Sequence, residues 1–278
     1  MIEILKMILM GIIQGTSEFL PISSSGHLAV LERVLGFEEP GLFIAQMLHF
    51  GTFLSVLFVF RKDVLNLIKE FINLIINIVK RDNTKINGEQ KTALYIILAS
   101  IPTAIIGIVF KDTFESFYSN MRFISVMFLI TAVLLYFTDY FLGNKNIYDV
   151  NIFGPIGIGM VQGLAILPGI SRSGSTIFAA TSIDIKKSEA AKFSFLLSLP
   201  ATFGAFIFGI RDMIKVGESA SFSLPLLIGV IVSFVVGVIS LKFLLNLINK
   251  NKLKYFSVYL LVIAIITFFI KWWWFYVK

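Results

Sequence analysis

GIIQGTSEFLPISSSG (residues 11–26) and GMVQGLAILPGISRSG (159–174) are two copies of one segment. They superpose without a gap, and seven of the sixteen positions are identical: Gly11/Gly159, Gln14/Gln162, Gly15/Gly163, Ile22/Ile170, Ser23/Ser171, Ser25/Ser173 and Gly26/Gly174. A nearly equal shift aligns 43–61 with 193–211, matching Phe43, Thr52, Phe53, Phe58 and Arg61 to their partners. Later apolar stretches follow in the same order with weak identity. The chain is therefore read as a duplication, with a first repeat over 1–145 and a second over 146–278.

Around these copies the sequence is that of a membrane protein. Of 278 residues, 57% are hydrophobic and 15% charged, where soluble domains carry about 25% charged residues; the mean hydropathy is +0.88. Stretches 41–60, 92–110, 123–141, 193–210, 222–241 and 255–271 are nearly free of charge and long enough to cross about 30 Å of hydrocarbon. Segment 64–80 carries Lys69 and Glu70 in an amphipathic pattern that suits the interface. Met1 to Gly15 is as apolar as a signal-peptide core, but Glu3 stands where a signal is positive and no small-residue cleavage site follows, so it reads as mature structure. Cysteine is absent, which excludes thiolate chemistry. The net charge of +7 lies in short connections between apolar runs, as membrane topology requires, and does not point to nucleic acid.

Both copies lie in apolar stretches, 1–35 and 152–183, that are broken by Pro, Gly and Ser. If each broken stretch enters the membrane and returns to the same side, three crossings remain in the first half. An odd number turns the second half upside down, which is the inverted-repeat plan. The fold class expected is an all-α polytopic membrane protein with two re-entrant helix-loop-helix segments and roughly six full spans. On this topology 15 of the 24 Lys and Arg lie on one side, in loops 61–91, 142–151, 184–192 and 242–254, which marks that side as cytoplasmic. Both termini then face outward, with Trp272 to Trp274 and Tyr276 in an aromatic belt.

Non-helical backbone survives at membrane depth only where protein or a wet cavity satisfies it. Two hairpins entering from opposite faces bring their tips together near the midplane, where backbone N–H groups form an anion-binding nest. The side chains divide the labour. The first copy has Gln14, Glu18, Ser23, Ser24, Ser25 and His27; the second has Ile166 for Glu18, Arg172 for Ser24 and Ser175 for His27. An Arg and a Glu in apolar segments cost roughly 2.5–3.5 kcal/mol each even on lenient insertion scales, so such residues default to function. Together they suit a phosphate ester: Arg forks onto phosphate oxygens, a carboxylate holds Mg2+ or Ca2+, and Ser or His attacks phosphorus.

QGTSEFLPISSSGH (14–27) resembles the (Glu/Gln)-x-x-x-Glu motif, with its following Ser and His, of the bacterial undecaprenyl-diphosphate phosphatase (bacitracin-resistance) family. LPGISRSGST (167–176) is similar to that family's Pro-Gly-x-Ser-Arg-Ser-x-x-Thr motif. The resemblance implies a hydrolase of the bacterial inner membrane that converts undecaprenyl diphosphate to the monophosphate, recycles the lipid carrier for peptidoglycan and cell-wall synthesis, and confers bacitracin resistance. It implies a divalent cation (Mg2+ or Ca2+) and a site open to the outer face; a homodimer is compatible with it. Carried over by motif, Gln14 and Glu18 take the metal and acid/base positions, and Ser24 with His27 forms the catalytic pair. Arg172, with Ser171, Ser173 and Thr176, holds the diphosphate, and Ser23, Ser25, Gly26, Gly169 and Gly174 complete the nest. Because position 14 is a neutral amide, Glu18 carries the acid/base work alone. The nucleophile stays open between Ser24, His27 and water.

The remaining features have plainer readings. Gly11/Gly15 and Gly159/Gly163 are GxxxG spacings that read as helix packing, and Gln162 as interhelical glue. His49, mid-span without a polar neighbour in sequence, reads as structural or as a residue supporting the site from behind. The rival function is a polyprenyl-phosphate transporter or flippase, since broken helices in inverted repeats are common in transporters; Glu18, Ser24 and His27 opposite Arg172 favour the phosphatase, because a carrier needs no nucleophile.

Overall fold

A computed structural model describes residues 2–35, 42–81, 85–216 and 223–277, with side chains described except at 35, 42–43, 212–216, 249 and 270–277. The expected aromatic belt at Trp272 to Trp274 and Tyr276 falls outside the described side chains. Among the described residues the chain forms twelve α-helices: α1 Ile2–Ser17, α2 Ser24–Leu35, α3 Leu42–Val59, α4 Arg61–Val79, α5 Gly88–Val109, α6 Lys111–Ser116, α7 Met121–Thr138, α8 Phe153–Leu164, α9 Arg172–Ser182, α10 Lys187–Val216, α11 Leu224–Asn249 and α12 Lys254–Val277. The one strand-like feature described is an isolated bridge between Lys145 and Ile185. In hydrocarbon each backbone N–H and C=O must be satisfied within its own segment, which leaves helices as the open-chain solution.

The protein crosses the membrane several times. Among the described residues α5, α7, α10 and α11 are each long and apolar enough to span, and α3 joins them when taken with α4, which turns 79° away from it at Phe60. Large apolar side chains face outward in stripes, such as Ile97, Ile101, Ile105 and Ile108 on α5 and Leu227, Ile231, Val235 and Ile239 on α11. The interior holds Ser55, Thr103, Ser125, Thr131, Ser194 and Ser233. Such an inside-out distribution belongs in lipid, where small and polar residues hold helices together. The outer faces of α4, with Leu65, Ile68, Ile72 and Ile75 exposed, suit a helix lying at the interface.

Each broken stretch is a helical hairpin, α1 with α2 and α8 with α9, and each packs on the opposite half of the chain: α1 on α11, α8 on α5. The GxxxG glycines make this possible. A Cβ on Gly11 would sit 2.6 Å from the Gly229 carbonyl oxygen, and one on Gly15 2.8 Å from that of Ser233. Gly159 meets the Ala99 carbonyl and Gly163 the Ile106 side chain in the same way. Gln162 donates to Leu197 O (3.3 Å) and Thr103 Oγ1 (3.4 Å), tying α8 to α10 and α5.

Candidate active site

The two hairpins meet at their tips. In the first, α1 ends at Ser17 and the chain turns through Glu18–Ser23, where Pro21 cannot continue a helix. In the second, Ala165–Ser171 makes the turn around Pro168 and Gly169. Both second helices start on equivalent serines: Ser23 Oγ accepts from Gly26 N (3.3 Å), and Ser171 Oγ from Gly174 N (3.1 Å). These are N-caps, and they aim the positive ends of α2 and α9 at the junction. Gly169 has φ +97°, and a Cβ there would lie 2.6 Å from the Ile124 carbonyl oxygen, so only glycine fits. Ser23 adopts φ +71° without being glycine, a strained conformation of the kind that clusters at functional sites.

Contact across the junction is close. A Cβ on Gly26 would lie 3.0 Å from Gly169 Cα, one on Gly174 3.2 Å from Pro21 Cβ, and Ser173 Oγ donates to Phe19 O at 3.3 Å. At the centre lies Glu18, 9% exposed. Its Oε1 pairs with Arg172 Nη2 of the other hairpin. Its Oε2 accepts from Ser24 Oγ (2.6 Å) and Gln14 Nε2 (3.1 Å), with His49 Nδ1 at 3.2 Å. Buried and without a hydrogen-bond partner among the described residues are Arg172 Nη1 and Gln14 Oε1. A guanidinium nitrogen and an amide oxygen left bare inside a protein each call for a partner.

Of the residues singled out in the sequence, Gln14, Glu18, Ser24 and Arg172 therefore stand in one network. His27 does not touch it. Its Nδ1 lies 2.9 Å from Ser23 O, an oxygen that can only accept, so Nδ1 carries the proton; Nε2 then accepts from Tyr259 OH at 2.8 Å, and the rings stack at 5.7 Å. Ser171, Ser173 and Thr176 spend their hydroxyls inside the protein, on the α9 cap, on Phe19 O, and on Arg172 O with Ser194. They brace the hairpin that presents Arg172. Ser25 lies beside Ser23 (3.2 Å) and next to the Tyr118 side chain.

Sequence reasoning passed over Thr52, Thr131 and Tyr259, and gave His49 no polar neighbour. Thr131 holds the second tip, donating to Gly169 O (3.0 Å) and accepting from Ser171 N (3.1 Å). His49 and Thr52 are three residues apart on α3, a spacing that puts both on one helical face and would have marked a polar stripe. His49 does have polar neighbours, and it borders the carboxylate, in keeping with a supporting role.

A family model described as "Bacitracin resistance protein BacA" matches residues 7–266. The chain belongs to that family. Similar proteins include an "Undecaprenyl-diphosphatase" of Alkaliphilus metalliredigens, 46% identical over 91% of this chain and 94% of that one. Another, from Methanosphaera stadtmanae and of the same description, is 40% identical over 96% of this chain and 98% of its own length. An "Undecaprenyl-diphosphatase 2" of Bacillus thuringiensis is 34% identical over 95% and 96%. All three alignments cover more than nine-tenths of this chain.

The donor atoms at the junction fit a hard divalent cation. One carboxylate and a bare amide oxygen are the sparse protein contribution Mg2+ accepts when substrate phosphates and water complete its shell. Among the described residues no cluster of three or more His, Asp or Glu exists that would form a closed protein cage.

Proposed function

We propose that this protein is a membrane phosphatase that hydrolyses undecaprenyl diphosphate to undecaprenyl phosphate and inorganic phosphate, returning the lipid carrier to cell-wall synthesis and thereby conferring bacitracin resistance. The observation that carries it is the doubly engaged Glu18: one oxygen on a hydroxyl nucleophile, the other on a guanidinium from the opposite hairpin. The names of the relatives point to the same reaction.

Substrate binds with its diphosphate on Arg172, whose bare Nη1 adds a second donor to the anion. The first-turn N–H groups of α2 and α9 supply neutral donors. Ser24 then attacks the terminal phosphorus. Its proton passes to Glu18 over the 2.6 Å hydrogen bond, the Oγ–P bond forms, and the bond from phosphorus to the bridging oxygen breaks, releasing undecaprenyl phosphate. Water next attacks the phosphoserine, phosphate leaves, and Ser24 Oγ regains a proton by way of Glu18. A divalent cation held by Glu18 and Gln14 would neutralise charge on the phosphates. His27, held by Tyr259 and Ser23 O, orients the start of α2 that carries Ser24.

The site opens to the outer face of the plasma membrane on this reading. Ser25, at the first tip, is reached by Tyr118 from the α6–α7 connection, which belongs to the side poor in Lys and Arg. A transporter built on the same two inverted halves would have no use for the Ser24–Glu18 pair. Phosphate release from undecaprenyl or farnesyl diphosphate, measured on the purified full chain in detergent with Mg2+, tests the proposal. Release no faster than from protein-free detergent would overturn it.

A further inference from the structure

Gln14 Nε2 lies among three polar atoms, one from the turn between α1 and α2 and two from α3. Glu18 Oε2 lies 3.1 Å away, His49 Nδ1 2.9 Å and Thr52 Oγ1 3.5 Å. Thr52 Oγ1 gives its own proton to His49 O at 2.8 Å, which leaves its lone pairs aimed inward. Nδ1 of His49 lies 2.9 Å from the amide nitrogen and 3.2 Å from Glu18 Oε2, and in the tautomer protonated at Nε2 it adds a lone pair to the same space. The amide's other end, Oε1, is buried and unpartnered among the described residues, and Gln14 is 0% exposed. The nitrogen end is satisfied and the buried oxygen end is not. Turned over, the same amide adds a fourth lone pair to the cage.

We infer that His49 and Thr52 of α3 complete a cation site with Glu18 and Gln14, His49 supplying the ligand that a carboxylate at position 14 would otherwise provide. The inference extends the phosphatase reading by naming the full donor set, and binding of the ion does not depend on turnover. Two oxygen types and one imidazole nitrogen form a mixed set. Oxygen donors alone suit Mg2+, Ca2+ and Mn2+, whereas imidazole favours first-row transition ions, so this site prefers Mn2+ over Ca2+. The glutamine at position 14 is then no simple loss of a charge: its neutral amide shares the ion with the imidazole 2.9 Å away.

Mn2+ binding to the substrate-free full chain in detergent, followed by electron paramagnetic resonance with Ca2+ as competitor, tests this. The wild type is expected to bind one ion and to release it only to a large excess of Ca2+. His49→Gln keeps a polar side chain without the ring nitrogen and should weaken Mn2+ binding about tenfold or more, the scale on which even outer-shell partners act. Adding Gln14→Glu to His49→Gln should restore affinity, a rescue that a purely structural histidine would not show. Wild-type affinity in His49→Gln would overturn the inference. So would a wild type that binds no Mn2+, or a double variant no better than the single one. If Mn2+ binds as described and the wild type releases no phosphate, the site stands and the phosphatase proposal falls.

Discussion

Ser24 gives its hydroxyl proton to Glu18 across 2.6 Å, while His27, one helical turn further along α2, faces Tyr259 instead. The hydroxyl and its base are therefore paired before any substrate arrives. Ser24→Ala should lower turnover by about three orders of magnitude or more, the scale seen when a nucleophile is removed from a catalytic unit. Rapid acid quenching with 32P-labelled diphosphate should leave label on Ser24. Label on His27, or full activity of Ser24→Ala with no label anywhere, would reassign the nucleophile.

Arg172 contributes through a planar fork, and only one of its terminal nitrogens is spent on Glu18. Arg172→Ala should lower kcat/KM by orders of magnitude while the protein still extracts as a folded species. Arg172→Lys should recover only a small part of this, because an ammonium cannot hold the carboxylate and a phosphate oxygen in one plane. A lysine variant as active as the wild type would mean that charge alone suffices.

Much of this arrangement could be read from residues 11–26 and 159–174. The broken apolar stretches, their Ser-Gly tips and the lone Glu and Arg follow from what hydrocarbon forbids: free backbone polar groups and unpaired charge. Glu18 and Arg172, far apart in the chain, do meet. What escaped the sequence belongs to other helices. Thr52, Thr131 and Tyr259 reach the hairpins from α3, α7 and α12, and only the packing of those helices brings them there. The roles of Ser171, Ser173 and Thr176 were hidden for another reason. A hydroxyl in a nest motif and a hydroxyl capping a helix look alike until the acceptor is known.

Gln14 stands beside Glu18 but carries no charge. Gln14→Ala should cost less activity than Glu18→Ala, since it removes an auxiliary ligand and leaves the base. Chelation with EDTA should abolish phosphate release in the wild type, and added Mg2+ should restore it. Equal losses in the two alanine variants, measured as initial rates at saturating metal, would show the amide to be as necessary as the carboxylate.

The glycine seams make a separate prediction about stability. Gly159 packs against the backbone of Ala99 and Gly11 against that of Gly229, so a side chain at either position meets carbonyl oxygen rather than a movable neighbour. Gly159→Val should force α8 away from α5 and destabilise the protein by about 1–3 kcal/mol, the usual cost of overpacking. Gly157, on the same helix with open space at its Cβ, should accept valine with little change. Melting temperatures in detergent for the pair would separate the two; equal shifts would sink the packing account.

On the side rich in Lys and Arg, Lys187 at the start of α10 is 7% exposed and closes three elements at once. Its Nζ donates to Asp139 Oδ1 (3.3 Å) and Asp139 O (3.2 Å) at the end of α7, and to Asn251 Oδ1 (2.8 Å) between α11 and α12. Asp139 Oδ2 in turn accepts from Lys254 N at 2.9 Å. Removing one partner of a buried ion pair leaves the other charge stranded, at a cost of roughly 3–5 kcal/mol. Lys187→Met should therefore lower the melting temperature markedly, and Asp139→Asn in the same chain should recover part of the loss by removing the orphaned charge. The catalytic junction draws on none of these groups, so phosphate release per folded molecule should fall far less than stability does. A Lys187→Met protein that melts like the wild type would show that Asp139 finds water there and that the end of the bundle is open to solvent.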